Sequence, residues 1–174
     1  MSGSGDERRI PIVSSAHLAA SEMPELSEME FALTLSNHAF QRWIVRGMAA
    51  GGVPDLSPLD VLVLHVVNHR SRPKRMADIC MILNLEDTHT VSYALKKLER
   101  GGFVSSSRKG KEKYADATPE GRAACERYRK IREDCLIASL ETLNVNPADL
   151  SRLAQLLRAL AGNYDQAARA ATSL

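Results

Sequence analysis

With 174 residues and 44% apolar content, the chain is the size of one domain, or of one domain with an added helical layer, and can build a core. Three cysteines without a Cys-x-x-Cys pair argue against a disulfide framework or a four-cysteine zinc site and suit a reducing cytoplasm; no apolar run reaches the ~18 residues of a membrane span. The net charge of +2 hides an uneven distribution: residues 68–113 hold eleven Lys and Arg against five Asp and Glu, a net +6, which leaves the remainder at −4. A cationic block in a nearly neutral chain is the electrostatic footprint of a polyanion partner.

In chain order, residues 1–25 read as an N-terminal arm open to flexibility, polar from Met1 to Arg9 and without the apolar stretch of a signal peptide. Ser27-Glu28-Met29-Glu30 has capping-box spacing and predicts a helix from about Glu28 to Ala50. Its Met29, Leu33, Ser36, Phe40, Trp43 and Gly47 recur every three or four residues as an amphipathic stripe, and Gly51-Gly52 with Pro54 ends it. Ser57-Pro58-Leu59-Asp60 opens a second helix to about His69, with Leu59, Leu62, Val63, Val66 and Val67 inward.

Two short helices follow. Met76 to Leu83 carries Ile79, Ile82 and Leu83; Asn84-Leu85-Glu86 reads as a turn; Asp87 to Arg100 carries Val91, Ala94, Leu95 and Leu98 inward. A short helix, a tight turn and a second helix make a helix-turn-helix unit. Gly101-Gly102 supplies a left-handed cap, after which Phe103 to Ser107 and Lys113 to Ala117 read as the strands of a hairpin with a cationic tip. Thr118-Pro119-Glu120-Gly121 opens a long helix to about Leu143, with Ala124, Tyr128, Ile131, Cys135 and Ala138 on one face. Asn146-Pro147 opens a last helix to about Ala171, whose Leu150, Leu153, Leu157, Leu160 and Tyr164 keep the spacing of a coiled-coil seam. The fold class is mainly α with a small β-hairpin wing.

The second helix of the helix-turn-helix turns Thr88, His89, Thr90, Ser92, Tyr93, Lys96 and Lys97 outward. Small hydrogen-bonding groups near the start of such a helix reach base edges in the major groove, and cations further along meet the backbone. The hairpin adds Arg108, Lys109, Lys111 and Lys113, placed for phosphate or the minor groove. Double-stranded DNA is therefore the expected partner. A winged-helix protein–protein interaction module without DNA binding is the alternative, against which the +6 segment stands; RNA would need exposed stacking aromatics, for which only Tyr93 and Tyr114 are candidates.

His38, Arg42 and Trp43 on the first helix are candidates for an effector pocket taking a phenolic or carboxylate ligand, with core or interface packing as the competing reading. His65 and His69 are four apart, but Val66 stands where the zinc-protease motif needs Glu, and no further ligands can be named, so no metal is assigned. The cysteines read as small hydrophobes, no cofactor is implied, and no nucleophile–base set or phosphate loop supports an enzyme.

The stretch "MADICMILNLEDTHTVSYALKKLERGGFV" (residues 76–104), followed by "TPEGR" (residues 118–122), resembles the MarR family of winged-helix transcription regulators. Leu98-Glu99-Arg100-Gly101-Gly102-Phe103-Val104 takes the place of the family's Leu-Glu-x-x-Gly-Leu-Val exit, and Ala117 to Gly121 that of its Leu-Thr-x-x-Gly start of a long helix. Helix order fits from Ser27 onward. The resemblance implies a homodimer on a palindromic operator, in which residues 26–56 and 118–174 form the dimerisation helices and residues 57–117 the DNA-binding lobe. It further implies a pocket for a small aromatic or acidic effector that releases DNA. The chain departs from the pattern in a turn one residue longer before Val91, in a short wing with Lys109 near the place of the usual Asp, and in residues 1–25, which have no counterpart.

Overall fold

Among the described residues proline begins four helices, because a residue without an N–H loses nothing at the first helical position. The computed structural model, which describes residues 23–110, 112–142 and 144–174, has α1 (Pro24–Ala50), α2 (Pro58–Asn68), β1 (Lys74–Arg75), α3 (Met76–Leu83), α4 (Thr88–Arg100), β2 (Val104–Lys109), β3 (Glu112–Ala117), α5 (Pro119–Arg132), α6 (Ala138–Thr142) and α7 (Pro147–Ala171). The N-terminal arm expected over residues 1–25 lies outside the described residues up to position 22, as does Lys111 of the hairpin. One compact unit ends at Tyr128 and a second spans Arg129–Leu174.

α1 starts earlier than the capping-box spacing suggested. Pro24 opens it behind Met23, whose side chain makes no cap, and Ser27 lies inside the helix, buried. Of the expected stripe, Gly47 is buried and Trp43 half-buried, while Leu33 and Phe40 are exposed at 39% and 49%. α2 has the expected start. Ser57 Oγ accepts from Asp60 N–H at 3.2 Å, and Asp60 Oδ2 accepts from Ser57 N–H at 2.7 Å.

α2 is the centre of the first unit. It packs against α1, α3, α4 and β3, so no single stripe is its buried face. Val61, Val63, Leu64 and Val67 are fully enclosed, whereas Leu59, Leu62 and Val66 are only partly so. Met48 of α1, Ile79 of α3, Val91 and Leu98 of α4, and Ala124 of α5 complete this core.

The sheet holds a strand that the sequence did not suggest. β1 pairs antiparallel with β3, as does β2, giving the order β1-β3-β2 with Lys74 opposite Ala115 and Val104 opposite Ala117. β1 follows a tight turn in which Arg70 and Ser71 take φ of +60° and +44°. The buried Lys74 ammonium donates to the carbonyls of His69 (2.6 Å) and Arg72 (2.7 Å), and its burial pulls its pKa down.

α4 ends on a left-handed cap at one glycine of the pair. Gly102 has φ of +77°, Gly101 stays right-handed, and Phe103 N–H returns to Leu98 O at 3.0 Å. Thr118 locks this exit to the next helix: its Oγ1 donates to Gly102 O at 2.7 Å and accepts from Gly121 N–H at 3.0 Å. Gly121 must be small, since a Cβ there would sit 2.1 Å from Phe103 O.

After α5 comes one π-helical stretch, Glu133–Ile137, where Ala138 N–H reaches back to Glu133 O, and then α6. α7 opens on Asn146, whose side chain accepts from Ala148 N–H at 2.9 Å, and none of its residues is buried.

Candidate nucleic-acid interface

Asp87 caps α4: its carboxylate accepts from His89 N–H at 2.8 Å, and Thr90 Oγ1 donates to Asp87 O at 2.8 Å. The Thr90 hydroxyl is thus already engaged with the helix start. Val91, Ala94, Leu95 and Leu98 face the core as expected. The opposite side carries His89, Tyr93, Lys96 and Arg100, all exposed and spaced four, three and four. Tyr93 is 65% exposed, and an open groove of about 650 Å³ runs beside Tyr93, Lys96, Glu99 and Arg100. Arg100 was not among the sequence candidates; the stripe spacing that starts at His89 would have found it.

The remaining candidates divide. Thr88 and Thr90 are exposed at the start of α4. Ser92 is half-buried on the flank facing the hairpin, where it lines a cavity of about 120 Å³ with Leu95, Ser106, Lys113 and Tyr114. Lys97 turns to α2, with Nζ 2.9 Å from Asp60 Oδ2. Lys113 pairs with Glu99 at 3.1 Å. Lys109 lies over the Tyr114 ring, 5.7 Å from its centroid. Arg108 is exposed on β2, and among the described residues Lys96, Arg100 and Arg108 make no ion pair.

Arg75 braces the tip half of the hairpin. Its guanidinium meets Asp78 at 2.9 Å and Glu112 at 3.4 Å, and its hydrogen bond holds the Asp78 carboxyl below its usual range. Glu112 also accepts from the Tyr114 hydroxyl at 2.9 Å, which pushes that phenol's pKa up.

The three effector candidates do not come together. His38 and Arg42 line an open cavity of about 380 Å³ with Gln41, Val45, Arg46 and Pro58. Trp43 points elsewhere, its ring centroid 6.4 Å from that of Tyr128. Arg46, missed in the sequence, continues the 38–42–46 spacing.

His65 packs edge-on to Tyr128 with centroids 4.8 Å apart; its Nε2 is buried without a hydrogen bond, and burial lowers its pKa. Among the described residues, no three His, Cys, Asp or Glu side chains gather as metal ligands would. Cys80 and Cys125 are buried, and burial pushes the Cys125 thiol up to about 11. Cys135, expected inward, is exposed and lies on the π-helical stretch. Among the described residues no helix is long and apolar enough to cross a membrane.

Residues 56–121 match the winged helix DNA-binding domain family. The fold is that of solved MarR-family regulators. A MarR-family transcriptional regulator from Rhodococcus sp. RHA1 is similar at a TM-score of 0.64 and 14% identity, over 78% of this chain and 94% of that one. CouR from Rhodococcus jostii RHA1, solved with p-coumaroyl-CoA, is similar at 0.64 and 15%, over 76% and 91%. Reduced AbfR, solved bound to DNA, is similar at 0.63 and 20%, over 79% and 95%. No curated protein matches the chain in sequence.

Proposed function

We propose that this chain, a winged helix DNA-binding domain set in a MarR-type fold, is a transcriptional regulator that binds double-stranded DNA sequence-specifically, in the cytoplasm, as a homodimer on a palindromic operator. The observation that carries the reading is the outward stripe His89, Tyr93, Lys96 and Arg100 on the helix that follows the turn, beside a hairpin ending in Arg108 and Lys109. The helix puts hydrogen-bonding groups toward base edges, and the cations meet phosphate on either side.

The homodimer is supported by α7, whose seam residues Leu150, Leu153 and Tyr164 are 37–51% exposed in the single chain. A leucine-rich helix with coiled-coil spacing is stable in water when a second helix covers that seam. In this reading residues 26–56 and 118–174 make the dimer layer and residues 57–117 the DNA lobe.

The cavity of His38, Arg42 and Arg46 suits a small aromatic or acidic effector, whose carboxylate the two guanidinium groups would hold while Val45 and Pro58 meet its apolar part. CouR was solved with p-coumaroyl-CoA, whose acyl group is aromatic, which supports an aromatic class here. Binding releases DNA in this reading.

The test is selection from a pool of random duplexes at two salt concentrations. Enrichment of a palindrome with half-sites about 10 bp apart, lost at high salt, is the expected result. No retention at low salt would replace the DNA reading with that of an interaction module.

A further inference from the structure

The charged residues of α4 do not all leave the helix on one side. Lys97 and Glu99 stand two positions apart, which at 3.6 residues per turn is about 200° around the axis. They therefore depart on opposite flanks. On one flank, Lys97 Nζ lies 2.9 Å from Asp60 Oδ2 and also donates to Asp55 O. Asp55 has φ of +67°, so a left-handed residue presents that carbonyl. Asp60 is the capping-box residue of α2, and its side chain is 3% exposed. On the other flank, Glu99 Oε1 meets Lys113 Nζ at 3.1 Å and accepts from Ser106 Oγ, so it is tied to both strands of the hairpin.

We infer that Lys97 is a positioning residue and not a DNA contact: with Asp60 it forms a stay that, opposed by Glu99 and Lys113, fixes the roll of α4 and so the aim of Tyr93, Lys96 and Arg100. The inference rests on the DNA-binding reading above and changes which cations serve it. Val91, Leu95 and Leu98 hold α4 at its depth in the core, but apolar contact is non-directional and leaves rotation about the axis soft. Directional pairs on both flanks remove that freedom. Lys97 is also held where it is, because moving its ammonium to a phosphate would leave the Asp60 carboxylate buried without its counter-charge. The paired ammonium then displaces few counterions when DNA binds, so the salt dependence is set by Lys96, Arg100 and the hairpin cations.

The experiment uses the full chain and four variants: Lys97→Met, Asp60→Asn, the double variant, and Lys97→Arg. Asp60→Asn keeps an oxygen to accept from Ser57 N–H, so the α2 cap survives if Lys97→Met folds poorly. The probes are the duplex that the wild-type chain enriches from a random pool and a scrambled duplex of equal length, each titrated over a range of salt. Amide exchange across residues 88–100 is followed without DNA.

The stay predicts that each single variant cuts the preference for the selected duplex by about tenfold, and that the double variant cuts it no further. It also predicts that the slope of log K against log salt stays the same, that Lys97→Arg retains the preference, and that exchange in α4 rises in Lys97→Met. A fall in the salt slope of about one unit, with both duplexes weakened alike, would identify Lys97 as a phosphate contact and overturn the inference. Unchanged preference and unchanged exchange would overturn it equally. If the wild-type chain prefers no duplex, the DNA reading has failed, and exchange alone decides the stay: a rise in Lys97→Met upholds it and no change ends it.

Discussion

α2 and α7 are both rich in leucine or valine, and both open on a proline behind a capping side chain, Ser57 in one and Asn146 in the other. Their surroundings differ completely. α2 has eleven residues, of which Asp60, Val61, Val63, Leu64 and Val67 are buried; α7 has twenty-five, of which none is. The pattern explains the contrast. α2 is apolar around most of its circumference and satisfies itself with neighbours from its own lobe. α7 is apolar along a narrow seam of three- and four-residue steps, with Arg152, Gln155, Arg158 and Asp165 elsewhere, and a seam of that width fits one more helix. The lesson is that the lobe holds its shape through its own contacts, whereas α7 leaves its seam open, which a second chain covers in the proposed homodimer.

The variants that break this contrast most should act on α7. Leu153→Glu combined with Leu157→Glu is expected to give monomers in light scattering, with the lobe still folded by circular dichroism. Affinity for a two-half-site duplex should then fall about 10²–10⁴-fold, because the second half-site no longer binds at high effective concentration.

Leu98→Ala should do the reverse. Leu98 is fully buried against α2, and its truncation should cost the lobe about 2–5 kcal/mol in denaturant unfolding while leaving self-association through α7 unchanged. Gly121→Ala sharpens the same side. Its new methyl would meet the Phe103 carbonyl at 2.1 Å, and the rigid junction of hairpin and α5 should lose about 1–3 kcal/mol in the same assay.

The smallest effect concerns pH. Burial lowers the His65 pKa below 6.5 in the folded lobe, so the unfolded chain binds more protons in the window between the two values. The contribution of neutral His65 is therefore complete above that window and is lost progressively as pH falls from 6.5 through the folded pKa. Comparing unfolding midpoints of wild type and His65→Leu at pH 7.5 and 5.5 isolates it. The wild-type chain should lose more on acidification, since the carboxylates are common to both.

Much of the lobe was legible because local signals and tertiary demand agree there. Ser57 caps the helix expected behind it, Asp87 caps the expected helix, and the inward set of α4 is the one its spacing gives. Legibility failed where a local signal had a competitor. Ser27 had a capping partner in sequence, but Pro24 opens α1 first. β1 is two residues long and exists only by pairing with β3, so no run of residues announces it. The π-helical stretch, on which Cys135 is exposed, carries neither proline nor glycine to announce it.

In the candidate site, polarity revealed the stripe but not the partners. Lys96 and Lys97 are neighbours of equal charge, and the buried Asp60 and the Asp55 carbonyl, both far away in sequence, separate their fates. Trp43 was separable by geometry alone. Five positions beyond His38 on a helix lie about 140° away, whereas Arg42 and Arg46 stay on His38's side.

The most direct test of a self-sufficient lobe joined to a partner-dependent helix is the mass and footprint of the complex on the selected duplex. The account predicts two chains per duplex, protecting two patches about 10 bp apart on one face. One chain per duplex, protecting a single patch at full affinity, would contradict it.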